Sequence, residues 1–203
     1  MKVLALWLLF VGASFQDSNQ INPEALEWLK SKVSSMVAEV GIDIYRHDFN
    51  MYPLNYWRQH DPKQQQGLTE IRYIMGLYDF LDTLLDDHSN LVIDNCASGG
   101  RRIDFEMLRR SLVLWRSDLC WEPVAEQCAT YGLSLWIPLH GVGSVSLDPY
   151  HFRSGMGSNF SLALNYYDDP SIWEPATKLL NEYIEIKHIF RGDFYPLTPY
   201  STS

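Results

Sequence analysis

The sequence predicts an α/β fold built on parallel strands, and three observations predict it. Segments with apolar residues at three- and four-residue spacing alternate with short continuous apolar runs. Those runs lack the polar alternation of a sheet with one wet face, so helices should cover both faces. The polar and chemically capable residues follow the apolar runs rather than the helices, which is where parallel α/β folds build their sites.

Each element has a local reason. Asn22-Pro23-Glu24 joins a capping side chain, a proline at the first helical position and an acid in the first turn. Leu26, Leu29, Val33, Met36, Val37 and Val40 then line one helical face, and Gly41 stops the helix. A short strand, Ile42–Tyr45, leads to Arg46-His47-Asp48-Phe49-Asn50 at its C-terminal end, and a long polar and aromatic loop runs through Gly67. Ile71, Ile74, Leu77, Tyr78, Leu81, Leu84 and Leu85 mark a second amphipathic helix. Ser89-Asn90 turns the chain into a strand at 91–93, which ends at Asp94-Asn95-Cys96. A short helix at 105–110 precedes a strand at 112–115 that stops at Ser117-Asp118. A helix at 123–131, a strand at 133–139 ending in His140-Gly141-Val142-Gly143, a strand at 160–164 and a helix at 173–190 complete the pattern, five strands in all.

The totals narrow the function. At 203 residues, with 46% apolar and 20% charged residues, the chain can bury one substantial core and is not a disordered tail. A net charge of −9 repels a phosphate backbone, so nucleic acid is excluded as a partner. Aromatics reach 14%, including 7 Trp and 12 Tyr, and their flat faces suit sugars as well as cores and rims. Three cysteines, without a C-x-x-C pair, make neither a complete disulfide framework nor a structural zinc site. An oxidising compartment would allow Cys120 and Cys128 to pair, although the helix between them separates the sulfurs.

Residues 1–18 read as a signal peptide or a foreign N-terminal segment. One Lys precedes an apolar stretch, small residues follow up to Ala13, and the run is too short to span a membrane. A processed leader implies a secreted or extracytoplasmic protein with no membrane attachment afterwards; without it the protein is cytoplasmic. The alternative is a strand or helix start belonging to the fold.

Three carboxylates stand at strand ends: Asp48, Asp94 and Asp118. Two carboxylates facing one cavity are the minimum equipment for glycoside hydrolysis, about 5–5.5 Å apart in a retaining enzyme. Arg46 shares a strand face with Asp48 and favours its ionised form, as a nucleophile needs. Trp115 flanks Asp118 with apolar surface, which favours the protonated form that a general acid needs. Aspartates at strand ends also commonly cap helices, and spacing alone does not separate these readings. Cys96-Ala-Ser-Gly-Gly-Arg-Arg gathers backbone N–H groups and two guanidinium groups, which could cradle an anion or let a sugar ring approach closely. Histidines 47, 60, 88, 140, 151 and 188 lack the spacing of a metal box and read as surface or rim residues. No metal and no organic cofactor is expected.

The stretches Asn22-Pro-Glu-Ala-Leu-Glu-Trp-Leu, Gly41-Ile-Asp-Ile-Tyr-Arg-His-Asp-Phe-Asn, Cys96-Ala-Ser-Gly-Gly-Arg-Arg-Ile-Asp and Trp115-Arg-Ser-Asp, in that order, resemble the alpha-galactosidases of glycoside hydrolase family 36. The resemblance implies a (β/α)8 TIM barrel and retaining hydrolysis of terminal α-linked galactose by double displacement. It implies Asp48 as the nucleophile and Asp118 as the acid/base. Arg46 stands where the family has a sugar-contacting Lys, and Asn50 matches a nearby polar contact. Cys96, Ser98 and Gly99 match the loop lining the galactose subsite, Arg101 or Arg102 with Asp104 holds that loop, and Arg101 and Trp115 join the sugar-contacting set. His47 replaces a Trp beside the nucleophile, which implies altered ring stacking.

The matching region supports about five C-terminal βα units of the barrel, over 19–203. That part has two open edges, which a homo-oligomer or a completing chain would cover. The expected partner is an α-galactoside oligosaccharide or glycoconjugate. The alternative function is a catalytically silent half-barrel fragment that binds sugar or serves assembly.

Overall fold

A computed structural model describes residues 3–7, 22–137, 139–165, 167 and 169–200. The chain divides into two units, Met1–Ala97 with Asp104–Ser111, and Ser98–Ile103 with Leu112–Ser203. Both are α/β, and every paired strand among the described residues is parallel, as the apolar runs predict.

The first unit contains β1 (Val3–Trp7), α1 (Pro23–Val40), β2 (Ile44–Asp48), α2 (Leu54–His60), α3 (Leu68–Asp87), β3 (Val92–Cys96) and α4 (Phe105–Leu108). Its sheet has the order β1-β2-β3. Of the leader-like segment 1–18, only Val3–Trp7 lies among the described residues. It is a strand, paired from Val3 opposite Ile44 to Trp7 opposite Asp48.

Local signals explain α1. Asn22 Oδ1 accepts from the Glu24 amide at 3.0 Å, and Gly41 closes the helix with φ 70°. Leu26, Leu29, Val33 and Val37 of α1 join Leu77, Phe80, Leu81 and Leu84 of α3 in one core with Tyr45 and Ile93 of the sheet. Burying each such side chain contributes about 1.5–3 kcal/mol before conformational entropy opposes it. Lys30 adds a 2.7 Å ion pair from α1 to Asp79 on α3.

The pleat then sorts the residues of β2 and β3. Tyr45, His47, Ile93 and Asn95 take the helix side, so their neighbours Arg46, Asp48, Asp94 and Cys96 take the other. The strand therefore continues through Asp48 instead of stopping at Tyr45, and its polar end belongs to the sheet. His47 is a correction to one expectation. It is not a rim residue: it is buried, packs on Phe80, and its Nδ1 shares a 3.0 Å hydrogen bond with the Tyr45 hydroxyl. The helix α2 lies where a loop is expected. Seven residues of mixed polarity give no period, but Trp57 packs on Tyr73 of α3 at 5.4 Å between ring centroids.

The second unit contains α5 (Pro123–Leu133), β4 (Gly141–Ser144), α6 (Pro149–Ser154), β5 (Asn159–Leu162) and α7 (Trp173–Ile186). Its core joins Phe152, Met156 and Leu179, packed by Phe160, Leu162, Leu180 and Tyr183. Two expected strands differ. Leu112–Trp115 is not an extended strand: Leu112 and Val113 are isolated bridge residues, and Val113 pairs in parallel with His140 through Gly141 N–H to Val113 O at 2.9 Å and Arg116 N–H to Gly141 O at 2.7 Å. Of the apolar run 133–139, Leu133 belongs to α5 and residues 134–136 turn, and β4 begins at Gly141. Strand propensity gives Gly-Val-Gly-Ser no credit, yet these small residues let β5 come close: a Cβ on Gly143 would sit 2.5 Å from the Ser161 carbonyl oxygen. Cys120 and Cys128 carry thiols and no disulfide. Among the described residues no helix is long and apolar enough to cross a membrane.

Candidate active site

The first cluster sits at the C-terminal ends of β2 and β3. The register sets Arg46 opposite Asp94 and Asp48 opposite Cys96, so all four share the face away from the helices. Arg46 Nη1 donates to Asp94 Oδ2 at 2.5 Å, and Nη2 lies 3.6 Å from Asp48 Oδ2. Burial opposes the guanidinium charge, but Asp94, with smaller contributions from Cys96 and Asp48, more than offsets it, and Arg46 is held above its ordinary range. Asp48 is 8% exposed, and its Oδ1 is buried without a hydrogen-bond partner among the described residues. Such an oxygen is unusual in a folded protein. The sequence pairs Arg46 with Asp48; the closer partner is Asp94, a strand-end carboxylate outside the expected site. The available signal was register, since two parallel strands ending alike bring Arg46 and Asp94 side by side.

The second cluster surrounds Asp118 in the other unit. Trp115 Nε1 donates to Asp118 Oδ1 at 2.8 Å. The indole thus offers Asp118 its polar edge, not the apolar flank expected, and the exposed carboxyl is fixed by a hydrogen bond instead of being enclosed. Ser98 and Gly99 both take left-handed backbone, with φ of 49° and 76°, and bring the loop against Ser117 and Asp118. A Cβ on Gly99 would lie 3.1 Å from the Asp118 amide nitrogen, and one on Gly100 would lie 2.6 Å from the Arg116 carbonyl oxygen. Strain at Ser98, a non-glycine residue, persists where the surroundings dictate it. Arg101 and Asn50 are exposed.

Behind Asp118, Arg116 is buried against Glu126. Its Nε and Nη2 reach Glu126 Oε2 at 3.1 and 2.8 Å, Nη2 also reaches the Glu126 carbonyl, and Nη1 donates to His140 Nδ1 at 3.0 Å. His140 is therefore not a rim residue. Burial, with Arg116 beside it, pushes it down to about 4, so it is neutral near pH 7 and its Nε2 meets Ser134 Oγ at 3.0 Å. Burial also raises the Cys120 thiol, with Glu126 adding to the effect. Sequence patterning missed this network, because Glu126 and His140 carry no local sign of burial. Among the described residues no group of three His, Cys, Asp or Glu side chains could hold a metal ion.

Parallel strands, with charged groups at the C-terminal ends of β2 and β3, define an α/β protein of the kind that builds its active site on that face. Residues 15–160 match the melibiase family, and the chain belongs to that family. It is 34% identical over 110 residues to alpha-galactosidase 2 of Pediococcus pentosaceus, covering 54% of this chain and 15% of that protein. It is 27% identical over 129 residues to AgaA of Geobacillus stearothermophilus, covering 63% and 18%. The chain thus spans less than a fifth of the length of these two relatives. Among solved structures, the alpha-galactosidase of Lactobacillus brevis matches with a TM-score of 0.72 and 21% identity, over 85% of this chain and 25% of that one. A variant of AgaA in complex with raffinose matches with a TM-score of 0.72 and 21% identity, over 90% and 27%.

Proposed function

We propose that the chain is part of a retaining alpha-galactosidase barrel and carries both catalytic carboxylates, Asp48 as nucleophile and Asp118 as acid/base. The observation that carries this reading is the Asp48 carboxylate, buried beside a guanidinium with one oxygen unpartnered. That oxygen attacks the anomeric carbon as Asp118 gives its proton to the departing glycosidic oxygen. Asp118 then takes a proton from water, which attacks the same carbon and releases Asp48 with the configuration retained. Spacing supports the pair: the stachyose and raffinose complexes of AgaA carry substitutions at two aspartates seventy positions apart, the interval from Asp48 to Asp118.

The substrate class is a terminal α-galactoside, with raffinose and stachyose as first probes because AgaA variants bind them. Cys96, Ser98, Gly99, Asn50, Arg101 and Trp115 are assigned to sugar contact, and Arg46 to the nucleophile. The exposed Leu135, Trp136, Leu139 and Val145 favour a completing segment or second chain over a lone barrel part.

Asp48→Ala and Asp118→Ala should each lower hydrolysis of an aryl α-galactoside at least a thousandfold. Azide should restore turnover to Asp48→Ala with formation of a β-galactosyl azide. Unchanged rates in both variants would remove the assignment. A second reading, a catalytically silent sugar-binding piece, is favoured by the small share of each relative that the chain spans. Galactose binding by calorimetry without any turnover selects it.

A further inference from the structure

We propose that Asp94 is a positioning residue for the nucleophile, drawing Arg46 to itself so that the guanidinium steadies one oxygen of Asp48 and leaves the other without a hydrogen bond, as the atom that attacks. This rests on the reading of Asp48 as nucleophile.

The geometry is asymmetric. Arg46 spends its short contact, 2.5 Å, on Asp94 and stands 3.6 Å from Asp48. A guanidinium and a carboxylate left to themselves form a bidentate pair, with both oxygens engaged and the charge quenched. Asp94 prevents that closure. It is 5% exposed, fixed on β3, and its register position directly opposite Arg46 leaves little freedom to drift. Among the described residues, the charged and titratable groups beside Asp48 are Arg46 on its own strand and Asp94 and Cys96 on β3, while β1 sets Trp7 opposite it. Among these three groups, one guanidinium stands between two buried carboxylates. Removing either acid should let Arg46 close on the survivor, and removing Arg46 should force the two acids to compete for a proton.

That arrangement predicts shifts of opposite sign, which a purely structural role for Asp94 would not produce. In the full chain with 13C-labelled aspartate carboxyls, the Asp48 signal, assigned by its disappearance in Asp48→Asn, is followed through a pH titration. Asp94→Asn should lower its midpoint by about one pH unit, and Arg46→Met should raise it by about as much. Because coupling is reciprocal, Asp48→Asn should lower the Asp94 midpoint by the same amount, which tests the proposal even if Asp94→Asn does not fold. An Asp94 midpoint unmoved in Asp48→Asn overturns the proposal, and so does a rise of Asp48 in folded Asp94→Asn. This readout needs no turnover, so its failure is distinct from that of the nucleophile assignment, which shows as undiminished hydrolysis by Asp48→Ala. Where the chain hydrolyses an aryl galactoside, Asp94→Asn should move the acid limb of kcat/KM downward and lower kcat about tenfold or more, and Asp94→Glu should recover part of the loss.

Discussion

Arg116, two residues before the proposed acid/base Asp118, forms a buried ion pair 2.8 Å long with Glu126, with side chains 0% and 2% exposed. A charge pair so placed makes a large contribution only while both members are present. Glu126→Leu strands the guanidinium among apolar atoms and should lower stability by about 3–5 kcal/mol in denaturant unfolding. The double replacement Arg116→Met/Glu126→Leu should recover more than half of that. A double variant no more stable than the single one would show that the pair is not the operative element.

His140 makes the same region sensitive to acid. The unfolded chain takes up this proton near pH 6.5 and the folded chain at about 4. Between those values the unfolded state binds more protons, so stability falls as the pH drops from 6.5 towards 4, by up to roughly 3 kcal/mol from this group. His140→Gln should flatten that part of the stability profile. A variant whose profile parallels wild type would locate the acid sensitivity elsewhere.

Glycines at the loop and within α5 should respond with opposite signs. Gly99→Ala must place a side chain at φ 76°, 3.1 Å from the Asp118 amide, and Gly100→Ala meets the Arg116 carbonyl at 2.6 Å. Each should reduce stability by about 1–3 kcal/mol. Gly132 lies within α5 and a Cβ there meets nothing within 4 Å, so Gly132→Ala should gain about 0.5–1 kcal/mol. Thermal melts of the three variants check the ordering.

The N-terminal segment has two incompatible uses. Val3–Trp7 pairs with all five residues of β2, and cleavage after Ala13 would remove that strand and uncover the β2 edge. Intact mass of the folded protein should show a chain that retains Val3–Trp7. A mass corresponding to a start after Ala13 would mean that the first unit stands without β1.

How much of this was legible differs between elements, for physical reasons. α1 was readable because its cap, proline, period and stop lie in adjacent residues. β2 was found but ended three residues early, since Arg46 and Asp48 look like a loop until the sheet supplies Asp94 as a partner. β4 was misplaced because its Gly-Val-Gly-Ser sequence is selected by the approach of β5 rather than by strand propensity. The two acids were legible one by one, from position and resemblance. What surrounds them was not, since Asp94 beside Arg46 and Glu126 beside Arg116 are tertiary pairings with no sequence period.

The most direct test of the central claim is to trap the sugar on the protein. Incubation with a 5-fluoro-α-galactosyl fluoride, followed by proteolysis and mass spectrometry, should find one galactosyl ester on the peptide containing Asp48, absent from Asp48→Ala. An ester on Asp94 or any other side chain, or steady hydrolysis of the fluoride with no ester formed, would contradict the account.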